Sequence, residues 1–263
     1  MTTTMSRLEE RYAEVCGRVS DAAQRAGRGP EQVILVAVTK YAEPDQIKAL
    51  FGLGHRDFGE NQVPQLLQRA AILDEHIERL SVLPETRQSQ VGTATGPLEP
   101  AARGEVRWHM IGHLQRNKVR KAIEAVRLIH SVDSLRLVEE IQQAALRRDQ
   151  IVDVLIQTDC AGETTKFGCP LPAVFALAEQ IETMVNVRVR GLMTMAPHSE
   201  DPEAARPCFA RCRELFEEIR QTGVGEGRFN ILSMGMSGDY EVALEEGANI
   251  VRVGSAIFGE PQP

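Results

Sequence analysis

Aromatic residues are scarce in this chain: Phe, Trp and Tyr make up 5% of it, with one Trp and three Tyr. A core built from it must therefore rest on Val, Ile, Leu and Ala. No apolar run approaches the roughly 20 residues needed to span a bilayer. Net positive charge is also missing. Lys and Arg number 30 against 37 Asp and Glu, a formal charge of −7. Nucleic acid and anionic membrane surfaces are thereby disfavoured as partners, and any anion-binding site must be local. The opening stretch Met1–Glu10 lacks the apolar segment of a signal peptide, so a cytoplasmic location is expected. The five cysteines, Cys16, Cys160, Cys169, Cys208 and Cys212, contain no CxxC pair and cannot all pair internally. Cys208 and Cys212 lie one helical turn apart without a matching ligand pair, and free thiols in a reducing compartment are the reading. No GxGxxG turn follows the first apolar run, which weakens a doubly wound open sheet.

What remains is an alternation of short β-branched runs and amphipathic segments. Ser6–Ala26 carries Leu8, Tyr12, Val15 and Val19 at helical spacing and stops at Gly27. Val33–Val38 is continuous and apolar, the pattern of a strand covered on both faces in a parallel sheet. Further strands are predicted near His55–Phe58, Val106–Ile111, Arg127–Val132, Val152–Thr158, Val187–Met195, Phe229–Met234 and Ile250–Val253. Helical patterns cover Ser134–Arg147, Pro172–Glu182, Pro202–Arg220 and Tyr240–Glu246. About eight strands joined by helices predict one (β/α)8 barrel of TIM type, preceded by an extra N-terminal helix. A length of 263 residues suits one such domain spanning 1–263. Arg79–Glu105 is rich in Pro and Gly and reads as a loop insertion, either a surface element or an active-site lid.

Lys40 ends the first strand in Val36-Ala-Val-Thr-Lys-Tyr. The C-terminal ends of barrel strands form the functional face, and a lysine leaving an apolar strand there would be partly desolvated. Loss of hydration disfavours the ammonium, and a neutral amine attacks aldehydes. A plain snorkelling lysine is the alternative. Near the other end, Ser233-Met-Gly-Met-Ser-Gly-Asp-Tyr240 runs from a strand through a turn into a helix. Ser237 or Gly238 falls near that helix's N-terminus, where an anion is favoured. Gly254 and Ser255 end the last strand in a second Gly-Ser. These are the places of the phosphate site often formed after strands seven and eight of such barrels, although tight turns alone would also explain the glycines. Arg252 sits in an apolar strand and needs a partner, either a strand-end carboxylate or a ligand's ring nitrogen. His109 and His113 share a strand face but have no third metal ligand at useful spacing. The run Arg116–Lys121 suits a solvated helix face, Cys160 has no evident base partner, and Lys166 could reach the barrel mouth.

Ala37-Val-Thr-Lys40, Phe58-Gly-Glu-Asn61, Trp108-His-Met-Ile-Gly-His-Leu-Gln115 with Asn117-Lys118, Gly191-Leu-Met-Thr-Met195, Ser233-Met-Gly-Met-Ser237 and Val251-Arg-Val-Gly254 with Ile257-Phe-Gly259 occur in this order. Together they resemble the pyridoxal phosphate homeostasis protein family, whose fold is that of the alanine racemase barrel domain. The resemblance implies pyridoxal 5′-phosphate (PLP) held on Lys40 as a Schiff base. It further implies Asn61 beside the cofactor, and Ser237, Gly238, Gly254 and Ser255 at its phosphate. Arg252 would meet the pyridine nitrogen. A guanidinium keeps its own proton, so the ring nitrogen would stay largely unprotonated and the cofactor would be a weak electron sink.

Three functions are compatible with these residues. The first is a non-catalytic, monomeric PLP carrier in intracellular homeostasis and delivery, with PLP-dependent enzymes as its clients. A PLP-dependent amino-acid racemase is the second. It would need an acid–base residue opposite the lysine, which Tyr12, Tyr41 and Tyr240 do not supply, and a second domain for which no room is expected after Pro263. A Schiff-base aldolase without cofactor is the third.

Overall fold

The computed structural model describes residues 2–81, 105–162 and 167–260. The chain opens with helix α1 (Thr2–Arg25) and then alternates: β1 (Ile34–Val38), α2 (Pro44–Gly52), β2 (Asp57–Glu60), α3 (Val63–Ser81), β3 (Arg107–Met110), α4 (Val119–Ala122), β4 (Val126–Val132), α5 (Leu135–Leu146) and β5 (Val152–Asp159). A two-residue strand β6 (Cys169–Pro170) follows, then α6 (Leu171–Glu182), β7 (Val187–Met193), α7 (Arg206–Gln221), β8 (Ile231–Ser233), α8 (Tyr240–Glu245), β9 (Ile250–Val253) and α9 (Ser255–Phe258). All strand pairs are parallel. The order β1-β2-β3-β4-β5-β7-β8-β9 returns to β1, so eight strands close a barrel, with β6 a spur on β5.

The period-two alternation of the strands sorts their side chains into two cores. Ile34, Val36, Leu128, Leu155, Met193, Ile231 and Ile250 pack together inside the barrel, while Ala37, Phe58, Trp108, Met110 and Ile129 pack outward against the helices. With few aromatics to use, the outer layer is mostly aliphatic, as composition required. Helix α1 lies over the last elements. Arg18 pairs with Glu241, Arg25 with Glu241 and Glu245, and Arg11 donates from Nε to Ile257 O at 2.8 Å and from Nη2 to Phe258 O at 3.2 Å.

Several elements differ from the pattern-based expectation. The second strand is Asp57–Glu60 rather than His55–Phe58, because His55 N–H bonds back to Leu50 O at the end of α2 and its ring packs edge-on against Tyr12 and Phe58. The expected helix over Pro202–Arg220 is split. Pro202–Ala205 forms a 3₁₀ turn and α7 begins at Arg206, since Pro207 has no N–H to continue a ladder. The expected loop from Arg79 is helical through Ser81, and residues 82–104 of it lie outside the described residues. Helices α2, α3 and α9 and strand β6 match no pattern read from the sequence. Among the described residues no helix is long and apolar enough to cross a membrane.

Gly191 marks the tightest strand approach. Its φ is +149° and a Cβ there would stand 1.8 Å from Ile231 O in the neighbouring strand. Replacing Gly191 with Ala is expected to cost at least roughly 3 kcal/mol, because both backbone angle and strand spacing must yield. Urea denaturation of the two proteins checks this, and equal midpoints would contradict it.

Candidate functional site

Strand register gathers the candidate residues at one end of the barrel. Val38 pairs with Gly59 on β2, so Lys40 and Asn61 lie level, two residues further on. On the other side Ala37 pairs with Val253, which sets Gly254 beside Val38; a Cβ on Gly254 would stand 3.3 Å from the Val38 Cβ. Lys40, Asn61, Gly254 and Ser255 thus share the C-terminal mouth.

Lys40 is exposed rather than desolvated, and its Nζ lies 4.6 Å from the centroid of the Tyr41 ring. The turn that carries it is fixed from outside the barrel. Thr39 Oγ1 donates to Glu60 Oε1 at 2.8 Å, and Asn61 N–H donates to Glu60 Oε2 at 3.0 Å. Arg69 of α3 forms an ion pair with the fully buried Glu60 and reaches Ala42 O at 3.1 Å. One buried carboxylate therefore ties the lysine-bearing and asparagine-bearing strand ends together. Gly112 completes the support, since a Cβ there would strike Asn61 O at 2.3 Å.

The two turns expected to hold a phosphate lie side by side, joined through Ser237 rather than through the cap of α8. The cap of α8 is Asp239, whose Oδ1 accepts from Met236 N at 2.6 Å. Ser237 turns the other way, toward α9, where its Oγ accepts from Gly254 N at 3.2 Å and Ala256 N at 3.3 Å. Two backbone N–H groups thus converge on one oxygen next to the strand that carries Lys40. Nothing would meet a Cβ on Gly238 within 4 Å, so the turn has open space in front of it.

Arg252 lies buried inside the barrel. Among the described residues no carboxylate is within ion-pair distance of it; Nη1 donates to Ser233 Oγ at 2.6 Å and Nη2 to Thr194 O at 3.0 Å. Burial pushes its pKa down to about 10, against the opposing pull of Asp239 and Cys212. Ser233 leads into a chain of buried side chains: His130 Nδ1 at 3.0 Å, then His130 Nε2 to His109 Nδ1 at 2.9 Å, then His109 Nε2 to Asp57 Oδ1 at 3.1 Å. Arg107 closes the chain at the barrel floor with Nε 2.7 Å from Asp57 Oδ1 and a second contact to Oδ2. Burial alone would raise the Asp57 carboxyl, but His109 and Arg107 outweigh it and hold it below its ordinary range. Burial, with His109 and Arg252 adding to it, drives His130 well below the ordinary imidazole value, so its ring is neutral.

The other candidates separate. His109 is inside the barrel, whereas His113 is at the rim, stacked on Phe167 at 4.2 Å and 3.5 Å from Asp133. Arg116, Arg120 and Lys121 are exposed, and Lys166 lies outside the described residues. Cys160, Cys208 and Cys212 meet under α7, all buried. Hydrogen bonding from Cys212 first, and from Thr158 and Thr194, lowers the Cys160 thiol. Sequence reading missed Glu60, Arg69, Asp57, His130 and Ser233 as supports. For those on strands the available signal was a polar residue within an otherwise apolar run; Arg69 lies on α3.

Two outcomes follow from these buried charges. Arg69→Met leaves Glu60 buried without its ion pair and is expected to lose about 3 kcal/mol of stability, read by chemical denaturation. The unfolded chain protonates His130 below its ordinary value of 6.5 while the folded chain keeps it neutral. Stability is therefore present above that pH and declines as pH falls through it. His130→Gln should flatten this part of the stability–pH curve, and an unchanged slope would contradict the assignment.

Comparison with known proteins agrees with the geometry. The family model "Alanine racemase, N-terminal domain" matches residues 22–262. The chain is 37% identical to the pyridoxal phosphate homeostasis protein of Aquifex aeolicus over 95% of this chain and 97% of that protein. It is 32% identical to the protein of the same name from Escherichia coli, over 97% of each. A solved structure of PipY from Synechococcus elongatus, with PLP bound, superposes with a TM-score of 0.73 at 30% identity, covering 96% of this chain and all of that one. Alanine racemase from Corynebacterium glutamicum shares the fold alone, with a TM-score of 0.62 at 13% identity. With its sequence matched nearly end to end and its barrel closed in the same way, the chain belongs to the pyridoxal phosphate homeostasis protein family, built on the alanine racemase N-terminal fold.

Proposed function

We propose that this protein binds PLP reversibly at the barrel mouth and serves intracellular PLP homeostasis and delivery without catalysing a reaction. The observation that carries the reading is the convergence of the Gly254 and Ala256 N–H groups on Ser237 Oγ, beside the strand that presents Lys40. That cradle suits a phosphate oxygen, and the PLP-bound PipY relative supports the ligand. Lys40 would hold the aldehyde as a Schiff base. Ser237, Gly238, Gly254 and Ser255 would hold the phosphate, Asn61 would flank the ring, and Arg252 would face its nitrogen. When bound, PLP supplies an aldehyde that condenses reversibly with amines.

Several features favour a carrier over a racemase. Arg252 keeps a proton of its own and leaves the ring nitrogen unprotonated, which weakens carbanion stabilisation. The hydroxyl of Tyr12, on α1, is bonded to His55 Nδ1, and the buried ring of Tyr240 lies under Arg18 of α1. Tyr41 adjoins Lys40 on the same strand end, not across from it. The exposure of Lys40 gives free amines and acceptor proteins a route to the bound aldehyde. A monomer in the cytoplasm, meeting PLP-dependent client enzymes, is the setting this reading implies.

The test is the visible spectrum of purified protein before and after borohydride, followed by peptide mass analysis. A yellow band that bleaches, with a phosphopyridoxyl group on Lys40, is the expected result, and Lys40→Ala should abolish both. Protein that stays colourless with added PLP and leaves Lys40 unmodified would sink the reading and bring the cofactor-free aldolase forward. Assays with amino-acid enantiomers then separate carrier from racemase.

A further inference from the structure

When each imidazole carries one proton, the chain of buried side chains from Arg252 to Asp57 has a single order of donors and acceptors. Asp57, held by Arg107, is a carboxylate that only accepts, so His109 Nε2 carries the hydrogen between them. With one proton on each imidazole, His109 Nδ1 is then an acceptor and His130 Nε2 must donate to it. His130 Nδ1 is in turn an acceptor, so the Ser233 hydroxyl must spend its only hydrogen there. Ser233 Oγ is left with its lone pairs for Arg252 Nη1. Every hydrogen bond in the chain points the same way, from the guanidinium to the carboxylate.

We propose that Asp57, His109 and His130 are positioning residues for Arg252, which fix the Ser233 hydroxyl as a committed acceptor and so hold the guanidinium in place below the mouth. Without that chain Ser233 could turn its hydrogen in any direction, including toward Arg252. The neutrality of His130 fits the order, since a doubly protonated ring would have no lone pair at Nδ1 to accept the Ser233 hydrogen. The charged and titratable groups around the chain are few. Arg107 lies beyond Asp57, and Asp239, before α8, and Cys212, on α7, bear on Arg252. Chains of this kind strengthen each member by polarisation, and their direction is set by the terminal ion. The part that concerns the cofactor rests on the PLP reading above; the part that concerns Arg252 does not.

The test therefore has two readouts. In ligand-free protein, nitrogen-15 NMR of the imidazoles should find His130 protonated at Nε2 and bare at Nδ1, and should find the two Nη signals of Arg252 split by hindered rotation. His130→Leu should average those Nη signals, while His130→Gln, which can both donate and accept, should preserve the splitting. A proton on His130 Nδ1, or Nη signals of Arg252 averaged already in the wild type, overturns the proposal even if His130→Leu fails to fold. With PLP added, folded His130→Leu should bind about tenfold more weakly than wild type and shift the pH midpoint of the yellow band. His130→Gln should restore most of both. Wild-type affinity and midpoint in folded His130→Leu would also overturn the proposal. A wild type that forms no yellow band defeats the PLP reading instead, and leaves the NMR result to decide the positioning role.

Discussion

The hydrogen bonds between β1 and β9 are the constraint from which the rest of the structure follows. They run from Ile34 opposite Ile250 to Ala37 opposite Val253, in register and parallel. A closed barrel fixes each strand's neighbour on both sides, so the positions of residues beyond the strand ends are set by counting. Lys40 stands level with Asn61 for that reason, and the Gly254–Ala256 amides lie alongside for the same reason. An open sheet with β1 at its edge would separate the lysine from the cradle entirely.

Closure also creates an interior that must be filled. Part of it is aliphatic, formed by Ile34, Val36, Leu128, Leu155, Met193, Ile231 and Ile250. The remainder is polar: Asp57 and Arg107 at the floor, the two histidines above them, Ser233 and Arg252 nearer the mouth, with Asp153 and Arg190 as a second floor pair at 2.7 Å. Polar groups in such a place are tolerated only when bonded. Full satisfaction gives one arrangement rather than many. The interior thus orients Arg252 through bonds, where a hydrocarbon filling would leave the guanidinium to find its own partners.

Much of this was legible in the sequence. The apolar runs ending at Val38 and beginning at Ile250 announced β1 and β9, and the residues leaving them, Lys40 and Gly254–Ser255, fell at the mouth because barrels of this kind are functional at that end. The charged Arg252 inside Val251–Val253 announced a buried guanidinium. What could not be read was its partner. Asp57, His109, His130 and Ser233 lie on four strands and meet only once register and closure are known. The strand carrying Asp57 was also displaced by two residues, because His55 behaves as part of the helix end. Glu60 and Arg69 were hidden for a similar reason. Their pairing depends on α3, whose amphipathic pattern was not picked out, lying over the end of β2. Ser237 was found, but not its direction, since a serine between two helix starts can serve either.

Helix α9 is four residues long, too short to hold its shape alone. It is clasped at one end by Ser237 and at the other by Arg11, a residue 246 positions earlier than Ile257. A ribosome delivers Arg11 first and Ile257 of α9 246 residues later. Lys40 is likewise made long before the strand that completes the barrel beside it. Until β9 and α9 emerge, Lys40 therefore stands without the Gly254 and Ala256 amides alongside it.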